Sequence, residues 1–225
     1  MISDRFPDHI AIIMDGNSRW ARVRGMDTVW GHRAGAERVS EITKTCARGG
    51  AKYLSLYAFS SENWKRPESE VNALMEILAD FLQKKVLEMK ENGVRLLVSG
   101  RRDRFRDRIN SLLDKSIRET SSGDSLSAIL CLDYSGRREI LDAAASYDGG
   151  DLEAFSRNLN VPEAPDVDLL IRTSGEMRIS NFMLWQISYA ELYFTDTLWP
   201  DFDETELEKA VKSFHRRNRR FGARR

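Results

Sequence analysis

The chain has 225 residues, 35 Lys and Arg against 35 Asp and Glu, and a 41% hydrophobic composition. That length and apolar content suit one domain with a full core, and they exclude a disordered, collagen-like or repetitive chain. Zero net charge argues against bulk capture of nucleic acid. The two cysteines, Cys46 and Cys131, make neither a disulfide framework nor a metal-binding spacing, and both read as buried, inert thiols. The apolar runs are shorter than the roughly 18–20 residues of a membrane span, and the start of the chain is too short and polar for a signal peptide. A single soluble, cytoplasmic domain over residues 1–225 is expected.

The run His9-Ile10-Ala11-Ile12-Ile13-Met14 predicts a strand buried on both faces of a parallel sheet. Val39, Ile42 and Cys46 recur at helical spacing over 34–48, and Gly49-Gly50 stops the pattern. Tyr53 to Phe59 is a second strand. Over 68–92, the positions Val71, Leu74, Ile77, Leu78, Phe81, Leu82 and Leu87 trace a long helical stripe ended by Gly93. Val94 to Val98 is a third strand, followed by an amphipathic helix over 104–119. Ser127 to Leu132 is a fourth strand, with a helix over 139–146 and a surface loop over 147–151. Val167 to Ile171 is a fifth strand, and Leu192 to Phe194 a short sixth. A last helix over 204–214 starts acidic and ends basic, as the helix dipole favours. This alternation implies an α/β fold: one domain with a central, mostly parallel six-stranded sheet flanked by helices.

Such sheets bind ligands beyond the carboxyl ends of their strands, so the residues that follow each strand matter most. After the first comes Asp15-Gly16-Asn17-Ser18-Arg19-Trp20. It suits a phosphate on a helix N-terminus, with Asp15 holding a bridging Mg²⁺; an Asp-Gly turn with Asn17 or Ser18 as N-cap reads equally well. Neither phosphate-loop glycine pattern is present. After the second strand come Ser60, Ser61, Glu62, Asn63, Trp64 and Arg66. Helix capping explains Pro67 and Glu68 but leaves Asn63, Trp64 and Arg66 over, a second wall for an anion. After the fifth come Arg172, Arg178 and Ser180, a plausible diphosphate clamp because arginine binds phosphate bidentately. Glu191 sits in an apolar segment and needs either an ion pair, a buried hydrogen bond or a metal. His32 reads as a capping or packing residue or as a catalyst. No Ser/His/Asp triad can be built from the three histidines.

These segments, in this order, resemble the cis-prenyltransferases, and most of all bacterial undecaprenyl diphosphate synthases. The resemblance rests on Ile13 to Asn17 with Arg19-Trp20-Ala21 and Gly31-His32, on Tyr57 to Pro67, on Tyr134-Ser135-Gly136-Arg137, on Asp168 to Arg172 through Trp185-Gln186, on Tyr189 to Phe194, on Leu198 to Phe202, and on Arg219 to Gly222. It implies a non-Rossmann α/β fold assembled as a homodimer. It implies Mg²⁺-dependent addition of isopentenyl diphosphate to an allylic diphosphate, usually farnesyl diphosphate, with cis double bonds and release of diphosphate. It also implies delivery of the long-chain product to the membrane for cell wall biogenesis, with peripheral contact at the membrane's inner face. By motif, Asp15 is the Mg²⁺-binding aspartate. Gly16, Asn17, Ser18, Arg19, Trp20, Arg24, Ser61, Glu62, Trp64 and Arg66 form the allylic diphosphate site. His32, Ser60 and Asn63 surround the reacting diphosphate. Arg172, Arg178 and Ser180, with Arg220 and Gly222 of a terminal motif that reaches the partner's site, bind isopentenyl diphosphate. Glu191 matches a carboxylate linked to metal binding.

The chemistry agrees with the residue types, since metal and arginine clamps stabilise charge developing on a departing diphosphate. The hydrocarbon product requires an apolar tunnel, which the helical stripe with Ala58, Leu130 and Leu132 could line; ordinary core is the competing reading. Asp15→Ala is expected to abolish turnover and leave thermal unfolding near wild type. The chain departs from the family's pattern at Ser18, at Thr28 (leaving Arg22 or Arg24 as the substitute arginine), at Ser99-Gly100-Arg101 and at Asp133 to Gly136. These departures bear on substrate preference and product length. The alternatives are a short-chain or irregular prenyl diphosphate synthase, a non-catalytic partner subunit, and a nucleic-acid module using the basic tail, where residues 212–225 carry seven Lys or Arg and no acid.

Overall fold

In a computed structural model that describes residues 5–217, the sheet has six strands, all parallel rather than mostly so. The strands are β1 (His9–Ile13), β2 (Tyr53–Ser60), β3 (Val94–Ser99), β4 (Leu126–Tyr134), β5 (Leu169–Arg172) and β6 (Glu191–Phe194). The helices are α1 (Asn17–Arg22), α2 (Thr28–Arg48), α3 (Glu68–Glu91), α4 (Asp107–Thr120), α5 (Gly136–Ser146), α6 (Leu152–Ser156) and α7 (Glu204–His215). The spatial order β3-β4-β2-β1-β5-β6 differs from the 3-2-1-4-5-6 order of the dinucleotide-binding fold. Each expected strand is present; β1 and β5 are buried along their whole length, whereas the edge strand β6 is only half-buried and exposes Leu192. In β1, Ile10 and Ile12 join the core that α2, α3, α4 and α7 cover, through residues such as Ile42, Leu82, Leu113 and Val211. Ala11 and Ile13 turn to the other face, where Phe182, Met183 and Ile187 pack. That second layer is the irregular segment before β6 and not a long helix.

Helix α2 begins at Thr28, six residues before the 34 expected from periodicity. Its glycines are contact points and not breakers. A Cβ at Gly31 would lie 2.0 Å from the Asn17 carbonyl oxygen, and one at Gly35 would lie 2.2 Å from Asn17 Oδ1. Only bare backbone lets α1 abut α2 so closely. Helix α4 begins at Asp107, later than 104, after Arg106 takes an extended N-cap conformation; Arg104, in the preceding loop, pairs with Asp133. Helix α5 begins earlier than 139, at Gly136, where the Ser135 hydroxyl accepts the Arg138 N–H at 3.3 Å. Cys46 and Cys131 are buried and free, and burial pushes both thiols up, as inert thiols require.

Chain direction across the sheet reverses at β1. The path after β1 leads to β2 on one side, whereas β5 enters on the other and continues to β6. The crevice between the carboxyl ends of β1 and β5 is therefore a topological switch point, the place where such sheets bind ligands.

Candidate active site

Asp15 lies just past β1 and Arg172 ends β5; the β1–β5 ladder, with Ile13 beside Arg172, brings them together across 157 positions of sequence. Arg172 Nη2 donates to Asp15 Oδ2 at 2.9 Å. The two ends of this pair differ in exposure, with side chains 5% and 37% accessible for Arg172 and Asp15. Arg172 Nη1 donates to Ser180 Oγ at 2.7 Å and to the Arg178 carbonyl, while its Nε is buried with no partner among the described residues. Thr173 fixes the Asp15 backbone by accepting its N–H at 2.9 Å, and Asp15 Oδ1 accepts the Gly16 N–H at 2.7 Å. Removing Asp15 strips a buried guanidinium of its carboxylate, so a loss of stability is expected from Asp15→Ala beside the loss of turnover.

Gly16 is the N-cap of α1, in place of the Asn17 or Ser18 cap, and no side chain caps that helix. Its φ of +105° is a left-handed conformation, and a Cβ there would press on Leu198 and Ser174 at 3.0 Å. Asn17 Nδ2 donates to the Met14 carbonyl at 3.1 Å, and Asn17 Oδ1 is buried with no donor among the described residues.

These residues open onto a cavity of about 850 Å³. Its polar end holds Asp15, Gly16, Asn17, Ser18, Arg19, Arg22, His32, Ser60, Glu62, Asn63, Arg66, Arg172 and Ser180. Its other walls are apolar: Leu74, Met75, Ile77, Leu78 and Phe81 from α3, with Ala58, Leu130 and Leu132 from the sheet. The helical stripe divides here. Leu74, Ile77, Leu78 and Phe81 reach the cavity, Val71 and Leu82 are buried core, and Leu87 is exposed.

His32 lies within α2 with Nε2 at 3.4 Å from Ser18 Oγ. Burial, reinforced by the Arg66 guanidinium and opposed by Glu70, lowers its pKa from 6.5 to about 4. It is a neutral hydrogen-bonding group at pH 7. Arg66 pairs with Glu70 at 2.9 Å at the cavity's edge. Ser60 and Asn63 form a reciprocal capping box on the 3₁₀ turn Ser61–Lys65, with Asn63 Oδ1 accepting the Ser60 N–H at 3.1 Å.

Other expected site residues stand apart from the cavity. Trp20 Nε1 donates to Asp201 Oδ1 at 2.7 Å, and Arg24 bonds the same carboxylate while lying 4.2 Å over the Trp20 ring. Arg178 is exposed and paired with Glu176, whose other oxygen lies 3.7 Å from Arg19. Ser61 and Trp64 sit behind the wall, against Asp133 and Phe59 respectively. Glu191 opens β6 at the amino end of the sheet, beside Leu169, and bonds Arg217 at 2.8 Å. The fold of one chain does not bring it to Asp15. Arg220 and Gly222 lie outside the described residues.

Several contributors carry weak sequence signals. Thr173 and Ser174 follow Arg172 directly, and Ser174 takes the left-handed φ of +78°. Asn181, at φ +63°, lines the cavity and ties Glu62 to Ser135 through its Nδ2. Their local backbone, invisible in composition, is what places them.

Among the described residues no three His, Cys, Asp or Glu side chains converge as a metal site. The donor set at Asp15 still fits Mg²⁺, which typically uses one or two carboxylates and completes its shell with phosphate oxygens and water. The donorless Asn17 Oδ1 is a further hard oxygen in the same loop.

Residues 13–222 match the family model described as "Putative undecaprenyl diphosphate synthase". The isoprenyl transferase of Neisseria gonorrhoeae is 46% identical over 221 residues, covering 96% of this chain and 89% of that protein. The isoprenyl transferase of Aquifex aeolicus is 45% identical over 226 residues, covering 98% of both. Among solved structures, lavandulyl diphosphate synthase from Lavandula x intermedia, in complex with dimethylallyl diphosphate, superposes with a TM-score of 0.93 at 33% identity, over 97% of this chain and 99% of that one. A probable undecaprenyl diphosphate synthase from Campylobacter jejuni superposes with a TM-score of 0.83 at 33% identity, over 96% and 98%.

Proposed function

The chain belongs to the undecaprenyl diphosphate synthase family of cis-prenyltransferases, and from that premise we propose that it extends an allylic diphosphate, farnesyl diphosphate above all, with successive isopentenyl units to a long polyprenyl diphosphate. One observation carries the reading: the Asp15–Arg172 pair at the β1/β5 switch point opens a cavity that is polar at one end and apolar along α3. An ionic head and a growing hydrocarbon tail need such a division.

In each cycle the allylic C–O bond breaks, a carbon–carbon bond forms to the isopentenyl unit, that unit loses one proton, and diphosphate departs. No residue needs to act as a covalent nucleophile. Asp15 is the residue that would hold Mg²⁺, which when bound neutralises charge developing on the leaving diphosphate. The first turn of α1, from Asn17 onward, offers backbone N–H groups to the allylic diphosphate, and Arg19 and Arg66 flank it. Neutral His32 can hold a hydrogen bond there without adding charge. Arg172, with Ser180, serves the isopentenyl diphosphate, and Arg178 joins them once it releases Glu176. Leu74, Leu78 and Phe81 exclude water from the tail. Each isoprene unit buried gains about 3–4 kcal/mol at roughly 0.8 kcal/mol per methylene, so an apolar wall favours repeated addition. The reading includes a homodimer completed by the Arg220 to Gly222 segment, and a product handed to the membrane. No helix among the described residues is long and apolar enough to cross a membrane.

A second reading, a short-chain or irregular synthase, draws on the likeness to lavandulyl diphosphate synthase. Incubation of the purified chain with farnesyl diphosphate, labelled isopentenyl diphosphate and Mg²⁺, followed by sizing of the products, separates the two. Chains growing by many units support the first, and products that stop after a single addition support the second.

A further inference from the structure

Asp133 is a carboxylate with no part in the site described so far. Its side chain is fully buried, at 0% exposure, and its φ is +47°. The β2–β4 ladder explains that backbone. Phe59 pairs with Leu132 and Ser60 with Tyr134, so Asp133 is an extra residue without a partner across the ladder, a β-bulge at the carboxyl end of β4. Bulges re-aim side chains and are frequent beside active sites.

The re-aimed carboxylate meets two segments. Arg104, from the loop before α4, grips it with two N–H groups, Nε reaching Oδ2 at 2.7 Å and Nη2 reaching Oδ1. The Ser61 hydroxyl lies 2.9 Å from Asp133 Oδ1 and 2.9 Å from its carbonyl oxygen. The same Arg104 guanidinium lies 5.2 Å over the Trp64 ring, which packs on Phe59 and Phe105. A buried carboxylate without partners would be strongly unfavourable, so this bidentate grip and the hydroxyl hold one another in place. The object they hold is the 3₁₀ turn Ser61–Lys65. Its capping box shapes its first residues, whereas Asp133 ties it to the sheet. From that turn and its end, Glu62, Asn63 and Arg66 face the cavity, while Ser61 and Asp133 do not line it.

We propose that Asp133 is a positioning residue: with Arg104 it fixes the Ser61–Lys65 turn so that Asn63 and Arg66 meet the allylic diphosphate, and Ser61 acts through Asp133 and not on substrate. The assignment of that wall to the allylic diphosphate rests on the proposed function. The anchoring of the turn does not.

The test uses the full-length protein and the variants Ser61→Ala, Asp133→Ala, Asp133→Asn and Arg104→Gln. Two readouts are taken: backbone amide exchange of peptides spanning 59–67, and steady-state kinetics with farnesyl and isopentenyl diphosphates. Exchange in 59–67 is expected to rise about tenfold in Ser61→Ala and Asp133→Ala, with the core strands unchanged. KM for farnesyl diphosphate is expected to rise about tenfold, with KM for isopentenyl diphosphate and kcat within about threefold of wild type. Asp133→Asn keeps one oxygen for Ser61 and Arg104 Nη2 but loses the acceptor for Arg104 Nε, so it should recover part of both effects. The Ser61→Ala/Asp133→Ala double variant should match Asp133→Ala alone, because residues in one network are not additive. Unchanged exchange in 59–67 overturns the proposal whatever the enzyme's substrate proves to be. Additive effects on KM overturn the role given to Ser61, since a direct ligand would add its own loss. Should Asp133→Ala fail to fold, Ser61→Ala and Arg104→Gln decide the matter through exchange in 59–67: a rise supports the anchoring and no change overturns it.

Discussion

Replacing Asp15 separates two tasks that one carboxylate performs. Its Oδ2 balances the guanidinium of Arg172, which is only 5% exposed and has no other carboxylate among its contacts with described residues. Removing one partner of a fully buried pair costs about 3–5 kcal/mol. Here the cost is smaller for two reasons. Asp15 is 37% exposed, so water can reach the vacated Nη2, and Nη1 keeps Ser180 and the Arg178 carbonyl. Asp15→Ala is therefore expected to lose about 1–2 kcal/mol, a fall of roughly 2–8 °C in Tm for a chain of this size. Asp15→Asn keeps an oxygen for Arg172 and should recover most of that fall. Its neutral amide is a poor Mg²⁺ ligand, so both variants should lose at least about a hundredfold in turnover. The assay is incorporation of labelled isopentenyl diphosphate over a Mg²⁺ titration, with differential scanning calorimetry on the same samples. Near-normal turnover by Asp15→Asn would refute the metal role. An unchanged Tm in Asp15→Ala would refute the claim that Arg172 depends on this carboxylate.

Burial lowers the His9 pKa from 6.5 to about 4, against the opposing Pro165 carbonyl bond and the Asp168 charge. The unfolded chain then binds the extra proton between those values, so stability present above pH 6.5 is lost as pH falls toward 4, by about 3 kcal/mol. Urea unfolding at pH 7 and 4.5 should show that loss shrinking in His9→Asn, and an identical loss in both proteins would remove His9 as its cause. Gly31→Ala should force α1 away from α2, because its Cβ would lie 2.0 Å from the Asn17 carbonyl. About 1–3 kcal/mol of stability should go with it, together with affinity for the allylic substrate; an unchanged melting curve would contradict the close packing. Phe81→Ala, on the apolar wall of α3, should shift the product distribution toward longer chains, and unaltered product sizes would take Phe81 out of the tail's path.

The first strand was legible because burial on both faces leaves no polar residue to break the run Ile10 to Ile13. The start of α2 was not. Gly31 and Gly35 lower helical propensity locally, and the reason they are tolerated, the approach of Asn17, lies on another element. The layer over the second face of the sheet was hidden for a different reason. Phe182, Met183 and Ile187 lie in no regular helix or strand, and Met183 takes a positive φ of 45°. Periodicity reports regular elements, and that face is covered without one.

For the site, the sequence located the right strand ends, since a parallel sheet must gather them along one edge. It could not say which cations there are free to meet a ligand, because that depends on which carboxylate each one finds in the fold. Arg24 looked available and is bound, with Trp20, to Asp201. Glu191 read either as an ion-pair partner or as a metal ligand, and the fold makes it the former, holding Arg217 at the far end of the sheet. Arg172 is the informative contrast. It is more deeply buried than either, yet its one carboxylate, Asp15, itself faces the cavity. A diphosphate and its metal entering there can engage both members of the pair at once, the anion meeting Arg172 and the cation meeting Asp15. Availability at this site therefore comes from shared geometry and not from exposure, which is why counting charges along the chain could suggest the site without choosing its members.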